Sequence, residues 1–169
     1  IQAAARKHLY NDGRHAFYKG IRYEGDSLVK DETIDSSATF GAYMFGLFDH
    51  DSPEVVAAVK TTHSIFGVSP ERPGIPRYEN DVYRRESGDV TGNWWPITTL
   101  WGAQYRLDNG DETGARAILD WVKNHAQYSG MLSEQVNPVS DDPISPAPLT
   151  WSHAEYLSTW LDIVGRNHE

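Results

Sequence analysis

Cysteine is absent from this 169-residue chain, which excludes disulfides, thiolate metal sites and cysteine nucleophiles. Long apolar runs are absent too: no stretch approaches the roughly 18 residues of a membrane-spanning helix. Basic charge is scarce, with 15 Lys and Arg against 24 Asp and Glu for a net charge of −9. Phosphate would be repelled by that balance, so neither nucleic acid nor an anionic membrane surface is expected as a partner. The opening Ile1-Gln2-Ala3-Ala4-Ala5-Arg6-Lys7 lacks an initiator Met and the pattern of a signal peptide. The chain therefore reads as a piece cut from something longer. Its 39% hydrophobic content is ordinary for a globular protein. One domain over residues 1–169 is expected, burying roughly 70% of its unfolded surface.

Against these shortages stands an excess. Aromatic residues make up 12% of the chain, and six of them are Trp. A single Trp is most simply a filler of wide gaps between helices. As a set, close to carboxylates in loops, they suit a polar ring-shaped ligand such as a sugar. The C–H-rich faces of pyranose rings fit aromatic faces, and a neutral sugar is indifferent to negative charge.

Apolar spacing predicts helices separated by long polar loops. The first runs from Ile1 to about Leu9 and stops at the turn signal Asn11-Asp12-Gly13. Ala16-Phe17-Tyr18 and Ile21-Arg22-Tyr23 read as short extended pieces around Gly20, a candidate hairpin. Ser36 to Phe48 aligns Phe40, Tyr43, Met44 and Leu47, with Ser36 or Ser37 as cap. Ser52-Pro53-Glu54 combines a capping hydroxyl, a first-turn proline and a dipole-favoured acid. The face that follows is Val55, Val59, Thr62 and Phe66, closed by Gly67. Asn93 is expected to cap a helix to about Leu107, with Ile97, Leu100, Trp101 and Tyr105 inward. Asp111 is expected to cap another to about Tyr128, lined by Ala115, Ile118, Leu119, Val122 and Ala126. Thr150 is expected to cap the last, with Ala154, Leu157, Leu161 and Val164 as its buried line. With no convincing sheet, the sum is an all-α chain of antiparallel helical pairs.

Two long loops interrupt this pattern, and loops of such length inside a compact domain are usually functional or mobile. The first, Val68 to Gly92, interleaves Arg77, Tyr78, Asp81 and Tyr83 and leads into Asn93-Trp94-Trp95-Pro96. Such side chains suit hydrogen bonding to sugar hydroxyls, with Trp95 as a wall; the plainer reading is an Arg77–Asp81 ion pair. The second, Ser129 to Thr150, holds four of the nine prolines and should be stiff. It carries Glu134 beside Gln135, flanked by Leu132 and Val136. A lone carboxylate held there could serve as a general base; the plainer reading is a solvated loop acid. Asp49-His50-Asp51 and Asp141-Asp142 lack the spacing of a calcium loop, and the seven His are scattered. No metal or cofactor is expected.

Taken together, the loops resemble glycoside hydrolase family 15, the glucoamylase, glucodextranase and archaeal-type trehalase group. Arg77-Tyr78-Glu79-Asn80-Asp81-Val82-Tyr83 is similar to that family's Arg-Tyr-x-x-Asp-x-Tyr. Gly92-Asn93-Trp94-Trp95, followed by Thr99-Leu100, is similar to its Gly-Asn-Pro-Trp and Thr-Leu helix, with Trp94 in place of Pro. Leu132-Ser133-Glu134-Gln135-Val136-Asn137-Pro138 resembles its Leu-x-Glu-Gln-x-x-Pro, and Pro148 to Glu155 matches its Pro-Leu-Thr-Trp-Ser-His-Ala-Glu.

The resemblance implies about half of a six-fold α/α barrel (an α/α toroid), the C-terminal half of a catalytic domain, with a site built from loops at one mouth. It implies inverting, exo-acting hydrolysis of α-glucosidic bonds with Glu134 as general base. Arg77, Tyr78, Asp81, Trp95 and Gln135 are the implied substrate-binding residues. The partners implied are an oligosaccharide or α-glucan and the N-terminal half of the barrel. The family's general acid belongs to an earlier segment that has no match here, so the chain alone is expected to be inactive. Apolar surface meant for the other half predicts self-association. The competing reading is a non-catalytic sugar-binding or regulatory domain of the same fold.

Overall fold

A computed structural model describes residues 1–165. The chain divides into two compact units, Ile1–Gly67 and the part from Val68 onward.

The first unit contains α1 (Gln2–Leu9), the strands β1 (Tyr10–Asn11), β2 (Ala16–Phe17), β3 (Gly20–Glu24) and β4 (Ser27–Asp31), then α2 (Ser36–Met44) and α3 (Pro53–Phe66). The expected hairpin exists with a different partner. Ile21 pairs with Lys30 and Tyr23 with Leu28 across the two-residue turn Gly25-Asp26, while β2 pairs back onto β1. Gly25 sits at φ 61°, the positive φ that a tight hairpin turn requires. The Ser27–Asp31 strand escaped prediction because both faces of the hairpin are largely exposed, so no apolar alternation marks it.

Two capping expectations change. The cap of α2 is Asp35, not Ser36 or Ser37: its Oδ1 accepts from Ser37 N–H at 2.8 Å and Ala38 N–H at 3.1 Å. A carboxylate one residue earlier reaches the same orphan donors and carries charge toward the positive helix end. Beyond Met44 the chain leaves the helix, so Met44 is exposed and Phe48, not Leu47, is buried. In α3, Ser52 occupies the cap position without a capping bond. The expected α3 face of Val55, Val59, Thr62 and Phe66 is buried as read, and Gly67 closes it at φ 66°.

The second unit consists of α4 (Pro96–Asp108), α5 (Glu112–Asn124), the short pair β5 (Gln135–Val136) and β6 (Pro143–Ile144), and α6 (Thr150–Gly165). Leu100, Ala103 and Leu107 of α4 pack with Ala115, Ile118, Leu119 and Val122 of α5, Leu132 of the second loop and Ile163 of α6. Asp111 caps α5 as expected, accepting from Gly114 N–H at 2.9 Å.

The buried line of α6 is not the one apolarity predicts. Ser152, Thr159 and Ile163 are buried, with Tyr156 packed beside them. Leu157 and Leu161 are 54% and 52% exposed, Ala154 is exposed, and Val164 is only partly covered. Ser152, Tyr156, Thr159 and Ile163 also recur every three or four positions, so they form a stripe as regular as the apolar one. Polar bonding selects it. Ser152 Oγ donates to Ser133 O at 2.9 Å, and Gln104 of α4 donates to Thr159 Oγ1 at 3.0 Å and Glu155 Oε1 at 2.6 Å.

Candidate active site

The two long loops of the second unit are stitched together. Trp94 and Val136 exchange both backbone hydrogen bonds, at 3.0 Å and 2.8 Å, as an isolated antiparallel bridge. Behind it, Ile75 is fixed from three sides. Trp95 N–H donates to its carbonyl at 3.1 Å, Thr98 Oγ1 donates to the same carbonyl at 2.5 Å, and its own N–H donates to Thr99 Oγ1 at 2.9 Å. The cap position of α4 is therefore Trp95, without a side-chain cap, and not Asn93. Two hydroxyls that would be ordinary helix residues are spent on holding a loop.

Gly74 shows how close the approach is. A Cβ there would lie 2.3 Å from the ring of Trp94, so only a residue without a side chain lets this ring lie down. Trp94 faces Trp121 edge-on at 5.5 Å, with the Arg72 guanidinium 5.1 Å from its centroid. It belongs to the packed interior, which explains an aromatic residue where the resemblance expects proline.

Arg77 forms a bidentate pair with Asp81, Nε to Oδ2 at 2.8 Å and Nη2 to Oδ1 at 3.1 Å. Its guanidinium lies 4.2 Å from the Trp95 ring centroid, 5.1 Å from that of Tyr83 and 5.3 Å from that of Tyr78. A flat cation among three rings is favourably seated. Asp81 is 1% exposed. Burial pushes its carboxyl up, but the Arg77 hydrogen bonds, the Tyr83 N–H and the Tyr78 hydroxyl outweigh that and hold it below the usual carboxylate range. The ion pair of the plainer reading is present, and it leaves the arginine partly exposed. Asp81 stands behind Arg77. Trp95 is 3% exposed, with the guanidinium over its face and an indole N–H that is buried without a hydrogen-bond partner.

Glu134 is partly exposed. Its backbone N–H donates to Pro146 O at 3.0 Å, and its Oε2 accepts from Gln135 Nε2 at 2.9 Å. Burial lowers the pKa of Arg77, but the Asp81 hydrogen bond and charge outweigh it, with smaller contributions from Tyr78 and last from Glu134. Gln135 is completely buried, with its Oε1 accepting from Asn93 Nδ2 at 2.6 Å, so it supports Glu134 from below.

The loop backbone is fastened by buried hydroxyls and one imidazole. Ser133 Oγ donates to Gln135 O at 2.6 Å, Ser152 Oγ to Ser133 O, and Leu132 N–H to His153 Nε2 at 3.0 Å. Asn137 donates to Glu86 Oε2 at 2.6 Å. Asn93, Ser133, Ser152 and His153 stand in the motifs of the resemblance, but sequence reading assigns none of them this fastening role. For Ser152 and His153 the available signal is their place in the first turn of α6, directly after the stiff loop. Among the described residues no group of three or more His, Asp or Glu is arranged to hold a metal ion, and no helix is long and apolar enough to cross a membrane.

The fold corresponds to part of the α/α barrel of glucoamylases. The chain is similar to glycosyl hydrolases family 15, whose family model matches residues 109–161. An uncharacterized glycosyl hydrolase of Methanocaldococcus jannaschii is 29% identical over 164 residues, 89% of this chain and 24% of that protein. A glucoamylase of a Clostridium species is 31% identical over 120 residues, 66% of this chain and 17% of that protein. Among solved structures, a bacterial glucoamylase complexed with acarbose is 26% identical with a TM-score of 0.70, covering 82% of this chain and 22% of the other. The chain spans a quarter or less of the curated relatives it matches.

Proposed function

We propose that this chain supplies the general-base side of an inverting, exo-acting α-glucosidic hydrolase. Inversion needs two carboxyl groups about 6.5–9.5 Å apart, one protonated to release the leaving oxygen and one ionised to activate water. Glu134 takes the second role. The observation that carries this reading is the Gln135 hydrogen bond to Glu134 Oε2, because a donor on the carboxylate favours the ionised form a base requires. Water deprotonated by Glu134 attacks the anomeric carbon while the acid protonates the glycosidic oxygen. β-Glucose leaves from the non-reducing end through an oxocarbenium-like transition state. Arg77 donates to sugar hydroxyls from its seat on Trp95, with Tyr78 beside it; Asp81 and Gln135 hold the two acting groups in place. The proton donor comes from residues outside this chain, so the chain alone is inactive.

Its ligand is a maltooligosaccharide-like α-glucan, a reading supported by the Clostridium glucoamylase and by the acarbose-bound structure. The exposed stripe of α6, with Trp151, Leu157, Trp160 and Leu161 between 44% and 55% exposed, is covered in the complete enzyme by the rest of the barrel. In the isolated chain it drives self-association.

The test is Glu134→Gln in the full-length enzyme. The expected result is a loss of about 10²–10⁴ in kcat with KM and melting temperature little changed, and β-glucose as the first product of the parent by proton NMR. A variant turning over at the parent rate removes Glu134 from the chemistry. Binding of maltooligosaccharide with no hydrolysis by the full-length parent would favour the sugar-binding reading instead.

A further inference from the structure

Asn93 lies at the end of the first long loop, 2% exposed, and the structure gives its amide two acceptors. Nδ2 donates to the backbone carbonyl of Arg84 at 3.0 Å and to Gln135 Oε1 at 2.6 Å. A backbone carbonyl can only accept. The end of Asn93 that faces Arg84 O is therefore fixed as the NH₂ group, and its other hydrogen serves Gln135. Gln135 must then present its oxygen to Asn93 and its NH₂ to Glu134, where Nε2 meets Oε2 at 2.9 Å. The direction of the whole row is dictated from one end, and Glu134 is left with the role of acceptor. Arg84 holds its carbonyl in place from a left-handed backbone, φ 53°, a conformation uncommon for a residue with a side chain.

We infer that Asn93 is a positioning residue for Glu134: through Gln135 it holds the carboxylate in its ionised, proton-accepting state. This rests on Glu134 as the base. The mechanism is local, because both amides are buried and neither can turn over without orphaning a buried polar group, which is costly. The other charged groups around Glu134 and its loop are accounted for. Arg77 of the first loop is paired with Asp81. Glu86 is bonded to Asn137, and His153 of α6 accepts from Leu132. Of the amide and backbone donors described, Gln135 is the one bonded to the Glu134 carboxylate.

Asn93→Asp tests the inference because it conserves shape and reverses polarity. An aspartate at 93 accepts from Gln135, so the Gln135 amide turns over and offers its oxygen to Glu134. The carboxyl must then keep its proton to make that bond. Carbon-detected NMR titration of the full chain should show the Glu134 pKa rising by about one unit, with a dispersed amide spectrum reporting the fold. In the full-length enzyme the acid limb of the kcat/KM profile should rise by the same amount, with KM little affected. A merely structural role would lower activity equally at every pH. An unmoved Glu134 pKa in the folded variant overturns the inference.

The parent chain supplies a second reading that needs no substitution. The Gln135 side-chain amide protons should titrate together with Glu134, and those of Asn93 should exchange slowly with solvent. Titration of Gln135 independent of Glu134 overturns the inference as well. Failure of the base assignment is distinguishable, since Glu134→Gln would then leave turnover intact while the Asn93→Asp shift in pKa persists.

Discussion

α5 and α6 share one core and are fastened to it by opposite means. α5 presents Ala115, Ile118, Leu119 and Val122, an apolar stripe in the usual register. α6 presents Ser152, Thr159 and Ile163 and leaves its leucines outside. The difference follows from what each helix supports. α5 packs against α4 and gains most by removing hydrocarbon from water. α6 follows the loop that carries Glu134, and its first turn is occupied with that loop's backbone: Ser152 takes the carbonyl of Ser133, and His153 takes the N–H of Leu132. Apolar burial is tolerant of small displacements, whereas a hydrogen bond weakens with a few tenths of an ångström. The loop that carries Glu134 is held by the stricter kind of contact.

This contrast can be broken most severely on the apolar side. Leu119→Ala should cost about 2–5 kcal/mol of stability, read by chemical denaturation of the chain, with loop and helices lost together. Ser152→Ala should cost less, about 1–3 kcal/mol, because it orphans the buried carbonyl of Ser133. In the full-length enzyme it should depress kcat more than its stability loss suggests. Equal effects of the two substitutions on stability and on kcat would erase the distinction between the helices.

Acid should separate the regions further. Asp81 is held below its ordinary value of 3.8, so its ion pair stabilises the folded state above that pH. The contribution disappears as pH falls through the lower folded value, because protonation then costs the pair. Tryptophan fluorescence should report the Trp95 environment loosening in that acid window, and Asp81→Asn should abolish the dependence. The smallest effect on stability is expected from Leu157→Gln on the exposed stripe, within about 0.5 kcal/mol. The same substitution should reduce self-association of the isolated chain in light scattering.

Where apolar spacing alone decides a helix face, as in α3 and α5, the sequence predicts the buried residues, except that α5 stops at Asn124 and Ala126, expected on its stripe, is only partly covered. It fails at α6 because two stripes of equal regularity compete, and hydropathy ranks the wrong one first. It fails at Asn93 for a related reason. An Asn just ahead of a helical pattern is a common cap, and nothing local reveals that its amide is engaged 42 positions away with Gln135. The loop motifs were legible as chemistry, a carboxylate beside an amide and an arginine among rings. Their division of labour was not: that Asp81 and Gln135 face inward depends on burial that no short motif encodes.

The bare α-carbon of Gly74 has a reach out of proportion to its size. Any substituent there would lift the Trp94 indole, and Trp94 is laced through its main chain to Val136, two positions beyond Glu134. The bridge between the two long loops thus depends on a residue that contributes nothing except room.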